Sequence, residues 1–252
     1  PTLNRRGADF FFERQTSQSE AARTICTLLQ TRLPKYLGFS RAEWQRDRWD
    51  KLGRVEIRGS TVGLVGYGSI NRELARLLQP FGATILAAKH NAMRLEDDGY
   101  IPEGLGDPEG NLFTRLYPFQ AITSMIRECD YVVVVAPLTP ATRGLIGAEQ
   151  IAAMKSTAYL INLSRGWVVD EKALLSALQE KRIGGAALDV FDEEPLPANH
   201  PFWQLPNVII SPHIGGISPR YNERAVDFFA LNLARYLNGE PLYNVFDSEK
   251  GY

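Results

Sequence analysis

The sequence predicts an α/β fold, a doubly wound parallel sheet covered by helices on both faces. Three observations lead there. Short apolar runs of strand length alternate with helix-period segments from residue 61 to residue 210. Those runs are apolar throughout, as strands buried on both faces must be. A glycine turn joins the first of them to the first helix of the alternation.

Ahead of the alternation, Ala21, Ile25, Leu28, Leu29 and Leu33 follow Ser19 at three- and four-residue steps, the period of an amphipathic helix ending near Pro34. A second short polar helix is expected over 41–51, anchored by Trp44 and Trp49, while residues 1–18 show no clear period. Strands are then expected at 61–65, 84–88, 131–135, 158–161, 186–190 and 208–210, with helices at 72–78, 122–126 and 148–154. Asp170 is placed to cap a helix over 173–179, and Gly184 lies just past its end. Val226, Phe229, Leu233, Tyr236 and Leu237 mark one face of a long final helix. One stretch resists the pattern: 91–118 holds four glycines, three prolines and the acids Glu96, Asp97 and Asp98. Loops of that length inside a compact domain are uncommon.

With 44% hydrophobic residues in 252, the chain can bury a substantial core. Its formal net charge of −1 gives no global reason to expect nucleic acid or an anionic membrane as partner. The segment 1–60 is locally basic, with 12 Lys/Arg against 7 Asp/Glu, which a solvated helix face explains. Cys26 and Cys129 stand far apart and without metal-ligand spacing, so two buried thiols and no metal are expected. No run of about 18 apolar residues is present, and no basic-then-apolar leader. A soluble, cytoplasmic protein is the expectation. Pro1 rather than Met stands first, so either processing has removed something or the sequence begins partway through a longer chain.

Between the first strand and the first helix of the alternation runs Val62-Gly63-Leu64-Val65-Gly66-Tyr67-Gly68-Ser69-Ile70-Asn71. In that context the glycines read as a Rossmann-type dinucleotide fingerprint. Gly66 permits the tight turn and Gly68 lets backbone approach a pyrophosphate. The N–H groups of Ser69 and Ile70 open a helix whose dipole favours the anion. Asn71 replaces the third glycine, so it is expected to tilt the helix slightly or to point its amide toward solvent. About 20 residues further on, where an acid would hold the adenosine ribose, the second strand runs into Lys89-His90-Asn91. Lys89, with His90 and Arg94, favours NADP over NAD. The insertion 91–118 directly follows Lys89, and one reading folds it over the adenosine end.

From about Ser19 to Phe246 the chain resembles the D-isomer-specific 2-hydroxyacid dehydrogenases, which include phosphoglycerate dehydrogenase and glyoxylate/hydroxypyruvate reductase. Five blocks carry the resemblance, in order along the chain. They are Asp130-Tyr131-Val132-Val133-Val134-Val135-Ala136-Pro137-Leu138-Thr139, Ile161-Asn162-Leu163-Ser164-Arg165-Gly166, Gly185-Ala186-Ala187-Leu188-Asp189-Val190-Phe191, Glu194-Pro195 and Pro212-His213-Ile214-Gly215-Gly216. The resemblance implies hydride transfer between NAD(P)H and a small 2-keto or 2-hydroxy acid. It makes Arg165 the group that binds the carboxylate and polarises the ketone, a task suited to a guanidinium fork that stays charged. It makes His213 the general acid and base, and Glu194 the carboxylate that orients the imidazole. Asp189 is then expected beside the nicotinamide, with Ala136, Pro137, Leu163, Ser164 and Gly215 around it. Trp167, where smaller residues are common, either narrows the substrate side or packs on the neighbouring loop. His90 and His200 lie outside these motifs and are expected at the surface.

The resemblance also implies a flavodoxin-like substrate domain of which only remnants are present. Residues 1–18 read as a remnant of it or a link from it, 19–240 as the NAD(P)-binding domain, and 241–252 as the segment returning to it. Relatives dimerise through the cofactor domain, so a homodimer is expected, using the helix from Ser19 together with Phe10, Phe11 and Phe12. A competing reading is a truncated or non-catalytic dinucleotide-binding relative, like the corepressors that share the fold. A formate dehydrogenase is disfavoured, because that branch carries an amide where Glu194 stands.

Overall fold

The structure, a computed structural model, describes Ala22, Ile25, residues 57–97 and residues 99–245. The expected helix at 41–51, the phenylalanines at 10–12, Cys26, the segment 1–18 and the tail beyond Val245 lie outside the described residues.

Strands β1 (Thr61–Val65), β2 (Thr84–Lys89), β3 (Arg115–Pro118), β4 (Tyr131–Val134), β5 (Tyr159–Asn162), β6 (Gly185–Leu188) and β7 (Val208–Ile210) form one sheet in the order β3-β2-β1-β4-β5-β6-β7. Every neighbouring pair is parallel. Helices α1 (Ser69–Leu78), α2 (Ile122–Glu128), α3 (Ala148–Ala153) and α4 (Glu171–Gln179) lie along the connections, and α5 (Tyr221–Leu237) follows the last strand. Side chains alternate across a strand, so each strand feeds two cores. Val62, Leu64, Tyr131 and Val133 pack on one face, and Val65, Val132 and Val134 on the other. This two-sided burial is why the strands are continuously apolar.

Ala22 and Ile25 are helical, fully buried and packed with Val62 and Leu64. The sequence reading offers the helix from Ser19 as a dimer surface, and of its apolar row only Ile25 is among the described residues. Ala22 and Ile25 serve the chain's own core, since burying an isoleucine removes apolar surface worth about 1.5–3 kcal/mol from water. Gly63 is required on the opposite face, where a Cβ would stand 2.5 Å from the Cys129 Sγ. The Cys129 thiol donates to the Met125 carbonyl, and burial pushes it up to about 12, so it stays protonated and inert.

Two local expectations need correction. β3 lies within the stretch that showed no pattern; it is a four-residue edge strand that starts at Arg115 and ends at Pro118, so neither signal of a buried strand is present. Asp170 caps α4 as expected, accepting from the Ala173 amide, but the left-handed residue beyond the helix is Lys181, with φ +56°, not Gly184. Gly184 is instead demanded by a close approach, its absent Cβ lying 2.6 Å from the Thr157 carbonyl oxygen. On α5 the apolar row Val226, Phe229, Leu233, Tyr236 and Leu237 is exposed, and Phe228 and Asn232 are the buried residues. No helix among the described residues is long and apolar enough to cross a membrane.

Candidate active site

Because all strands run the same way, their C-terminal ends share one edge of the sheet, and the order of the strands reverses direction between β1 and β4. Ligands of such sheets bind at that switch point. The sequence-predicted residues fall there one strand end after another: Gly66 and Gly68 after β1, Lys89 ending β2, Ala136 and Pro137 after β4, Leu163–Arg165 after β5, Asp189 after β6 and His213–Gly215 after β7.

At the end of β1 the chain turns through Gly66 with φ +86°. A Cβ there would also come within 2.7 Å of the Ala136 backbone, so conformation and space both require glycine. The Gly66 and Tyr67 amides donate to the Ala88 carbonyl at 2.9 and 3.0 Å, which ties the turn to β2 just before Lys89. A Cβ on Gly68 would meet nothing within 4 Å, so the space in front of α1 is open on its side. The first turn of α1 holds no acid, and its leading N–H groups, those of Ser69 and Ile70 among them, have no intrahelical acceptor. These features fit a pyrophosphate.

Asn71 does not point its amide toward solvent, as one of the two expectations had it. It is fully buried, and its amide donates to the carbonyls of Val65 and Gly66 at 3.2 and 3.0 Å, clamping the turn from beneath. Lys89 ends β2 with its ammonium donating to the Arg94 carbonyl at 2.8 Å, and His90 is exposed with its ring toward Phe119.

After β5, Asn162 shapes the turn that presents Arg165. Its Oδ1 accepts from the Ser164 amide and hydroxyl at 3.0 and 2.8 Å, and its Nδ2 donates to the Arg165 carbonyl. Arg165 is half-buried and donates to the Ser164 carbonyl. Next to it Gly166 sits so close to the following strand end that a Cβ would lie 2.1 Å from the Phe191 carbonyl carbon. That contact brings the arginine turn against the segment that carries Glu194.

Glu194 uses both oxygens. Oε1 accepts from the Phe191 amide at 3.0 Å, and Oε2 lies 2.8 Å from His213 Nδ1. Burial works against its ionisation, but the bonds from His213 and the Phe191 amide outweigh it and hold the carboxyl below its ordinary range. With Nδ1 turned to Glu194, Nε2 is the ring atom left to face a substrate.

His213 adopts φ +55°, a conformation non-glycine residues seldom take. Asp189 holds it there. Its buried carboxylate accepts from the Ser211 hydroxyl, from the Ile214 amide at 3.0 Å and from the Gly215 amide at 2.8 Å. Gly215 must be glycine for this, since a Cβ would lie 2.8 Å from both Asp189 Oδ2 and Leu163 Cδ2.

Around this centre, Trp167 packs on the neighbouring loop, with the Arg143 guanidinium 4.7 Å from its ring centre and its carbonyl accepting from Gly144. His200, expected at the surface, is half-buried: Nε2 lies 3.2 Å from Glu171 and Nδ1 accepts from the Phe202 amide. Beside Glu194, burial together with Glu171 and Asp170 pushes the Asp192 carboxyl up to about 6. Among the described residues no group of His, Cys, Asp or Glu converges to hold a metal.

Residues 29–215 match the sequence profile of the NAD-binding domain of the D-isomer specific 2-hydroxyacid dehydrogenases. The chain belongs to that family. Among its relatives, the D-3-phosphoglycerate dehydrogenase of Methanocaldococcus jannaschii is 36% identical over 81% of this chain and 36% of its own length. A glyoxylate reductase of Thermofilum pendens is 38% identical over 77% of this chain and 55% of its own. The chain thus spans about half the length, or less, of these curated relatives. An NADPH-dependent glyoxylate/hydroxypyruvate reductase from Sinorhizobium meliloti, solved with NADP and sulfate, superimposes with a TM-score of 0.75 at 27% identity, covering 94% of this chain and 71% of that one. A D-isomer specific 2-hydroxyacid dehydrogenase from Xanthobacter autotrophicus, solved with NADPH and MES, gives 0.74 at 30% identity over 94% and 90%. The structure brings the expected Glu194 and His213 into contact and sets Arg165 at the same strand edge, while two features were not expected from the sequence: Asn162, which bonds the turn carrying Arg165, and the partners of Tyr67. Asn162 was within a quoted motif; only its place at a strand end, where a side chain can cap the turn, signals its role.

Proposed function

We propose that the chain is the cofactor-binding and acid–base part of an NAD(P)-dependent D-2-hydroxyacid dehydrogenase acting on a small 2-keto acid. The observation that carries the reading is the 2.8 Å pair between His213 Nδ1 and Glu194 Oε2, at the strand edge that also presents Arg165. A nicotinamide dinucleotide, when bound, supplies or accepts the hydride. Gly66, Gly68, Ser69 and Ile70 would hold its pyrophosphate, with Lys89 toward the adenosine end, and Ala136, Pro137, Leu163, Ser164, Asp189 and Gly215 would line its nicotinamide end. Arg165 binds the substrate carboxylate and polarises the ketone. His213 gives a proton from Nε2 to the oxygen as it gains charge, and takes it back in the reverse direction. Glu194 fixes the imidazole by its second hydrogen bond and stabilises it while protonated.

NADP is the preferred cofactor in this reading. Lys89 stands where an acid would repel a 2′-phosphate, and the two similar structures above carry NADP or NADPH. Titration with NADPH and with NADH, followed by tryptophan quenching, tests the cofactor; reduction of glyoxylate and hydroxypyruvate tests the chemistry. Tighter NADPH binding with turnover is expected. Equal affinities would discard the NADP preference alone. Binding without turnover of any small keto acid would place the chain with non-catalytic dinucleotide-binding relatives.

A further inference from the structure

The described residues of 91–97 and 99–114 form no helix or strand, yet several of their polar contacts converge on the glycine turn and the start of α1. Gly66 and Gly68 have no side chains, so Tyr67 is the one side-chain handle inside that turn. Its ring is buried edge-on against Phe113, centres 5.2 Å apart, with the Arg72 guanidinium 4.9 Å from its centre. Its hydroxyl donates to Asp107 Oδ2 at 2.7 Å, and burial with that bond keeps the phenol protonated. Asp107 is itself buried and organises the insertion: Oδ1 accepts from the Asn111 amide and Oδ2 from the Leu112 amide. Two buried charges on α1 fasten the same segment. Arg72 donates to the carbonyls of Asp107 and Leu95, and Glu73 accepts from the Gly106 amide at 2.7 Å.

We infer that Asp107 is a positioning residue for the dinucleotide, acting through Tyr67 to set the backbone of the phosphate-binding turn. Asn71 grips the turn from beneath at Val65 and Gly66, and Asp107 grips it from the side at Tyr67. Between the two, the amides of Ser69 and Ile70 are aimed before any ligand arrives, and such preorganisation is worth affinity. The insertion therefore serves the cofactor without having to cover it. This rests on the reading of the turn as the dinucleotide site.

A double-mutant cycle on the whole 252-residue chain tests it, with NADPH and NADH as probes, tryptophan quenching as readout and thermal unfolding without ligand in parallel. Tyr67→Phe keeps the ring and loses only the hydroxyl, so it is informative even where Asp107→Ala fails to fold. Each variant is expected to weaken the preferred dinucleotide about three- to tenfold, the range of one buried hydrogen bond. The double variant is expected to be no weaker than the worse single one. A lower melting point with unchanged affinity, or additive losses, would overturn the proposal. If the wild-type chain binds neither dinucleotide, the cofactor reading itself fails and takes this one with it; wild-type binding with unaffected variants sinks this one alone.

Discussion

The glycine turn and the histidine loop lie at the same edge of one sheet and are built in opposite ways. Around the turn, Tyr67, Asn71, Arg72 and Glu73 are all at most 1% exposed; Asn71 bonds the turn's own carbonyls, and Tyr67, Arg72 and Glu73 bond the insertion beside it. At the loop, the side chains of His213 and Glu194 are 40% and 36% exposed, and the loop's backbone is held chiefly through Asp189. A buried polar network holds one geometry, which suits a turn proposed to bind the same phosphates in each ligand. Excluding water strengthens electrostatic interactions in a site, and the His213 and Glu194 side chains here are exposed to it. The contrast is between a turn whose polar side chains are buried within this chain and a loop whose His213 and Glu194 side chains face solvent.

The sharpest way to separate the halves is to remove the proposed proton donor. His213→Ala is expected to lower turnover about 10²–10⁴-fold, the usual contribution of a positioned acid–base group, and to leave dinucleotide affinity unchanged. A loss of both would mean that the two halves are not independent. The converse substitution is Gly66→Ala. It places a Cβ 2.7 Å from the Ala136 backbone at a φ of +86°, and is expected to weaken dinucleotide binding about ten- to a hundredfold. Binding close to wild type would show that the turn is more pliant than its contacts imply.

The same contrast explains what the sequence makes legible. Strands buried on both faces read as continuous apolar runs, so six of the seven were placed within two residues; β3, at the sheet edge with Arg115 and Pro118 at its ends, shows no such run. Gly66 is legible because its turn has a local chemical reason. Arg165, Glu194 and His213 are legible only through their motif blocks, since a single exposed histidine or glutamate carries no signal of its own. The Tyr67–Asp107 bond spans 40 residues and obeys no period, so nothing local announces it. Likewise the apolar row on α5 was read correctly as a face, but periodicity alone does not say whether a face is turned inward.

The smallest expected effect sharpens the exposed half. The Asp192 carboxyl is pushed up to about 6, chiefly by burial and then by Glu171 and Asp170, and its Oδ1 is buried without a partner. An unfolded aspartate titrates near 3.9. Between about pH 4 and pH 6 the folded chain therefore holds a proton that the unfolded chain has released, and stability falls as pH rises through that window. Above it the cost of the buried charge is fully present. Asp192→Asn removes that charge, so its melting point is expected to exceed wild type by a few degrees at pH 8 and to converge with it near pH 4. A gain that does not change with pH would assign the effect to packing rather than to the carboxylate's charge.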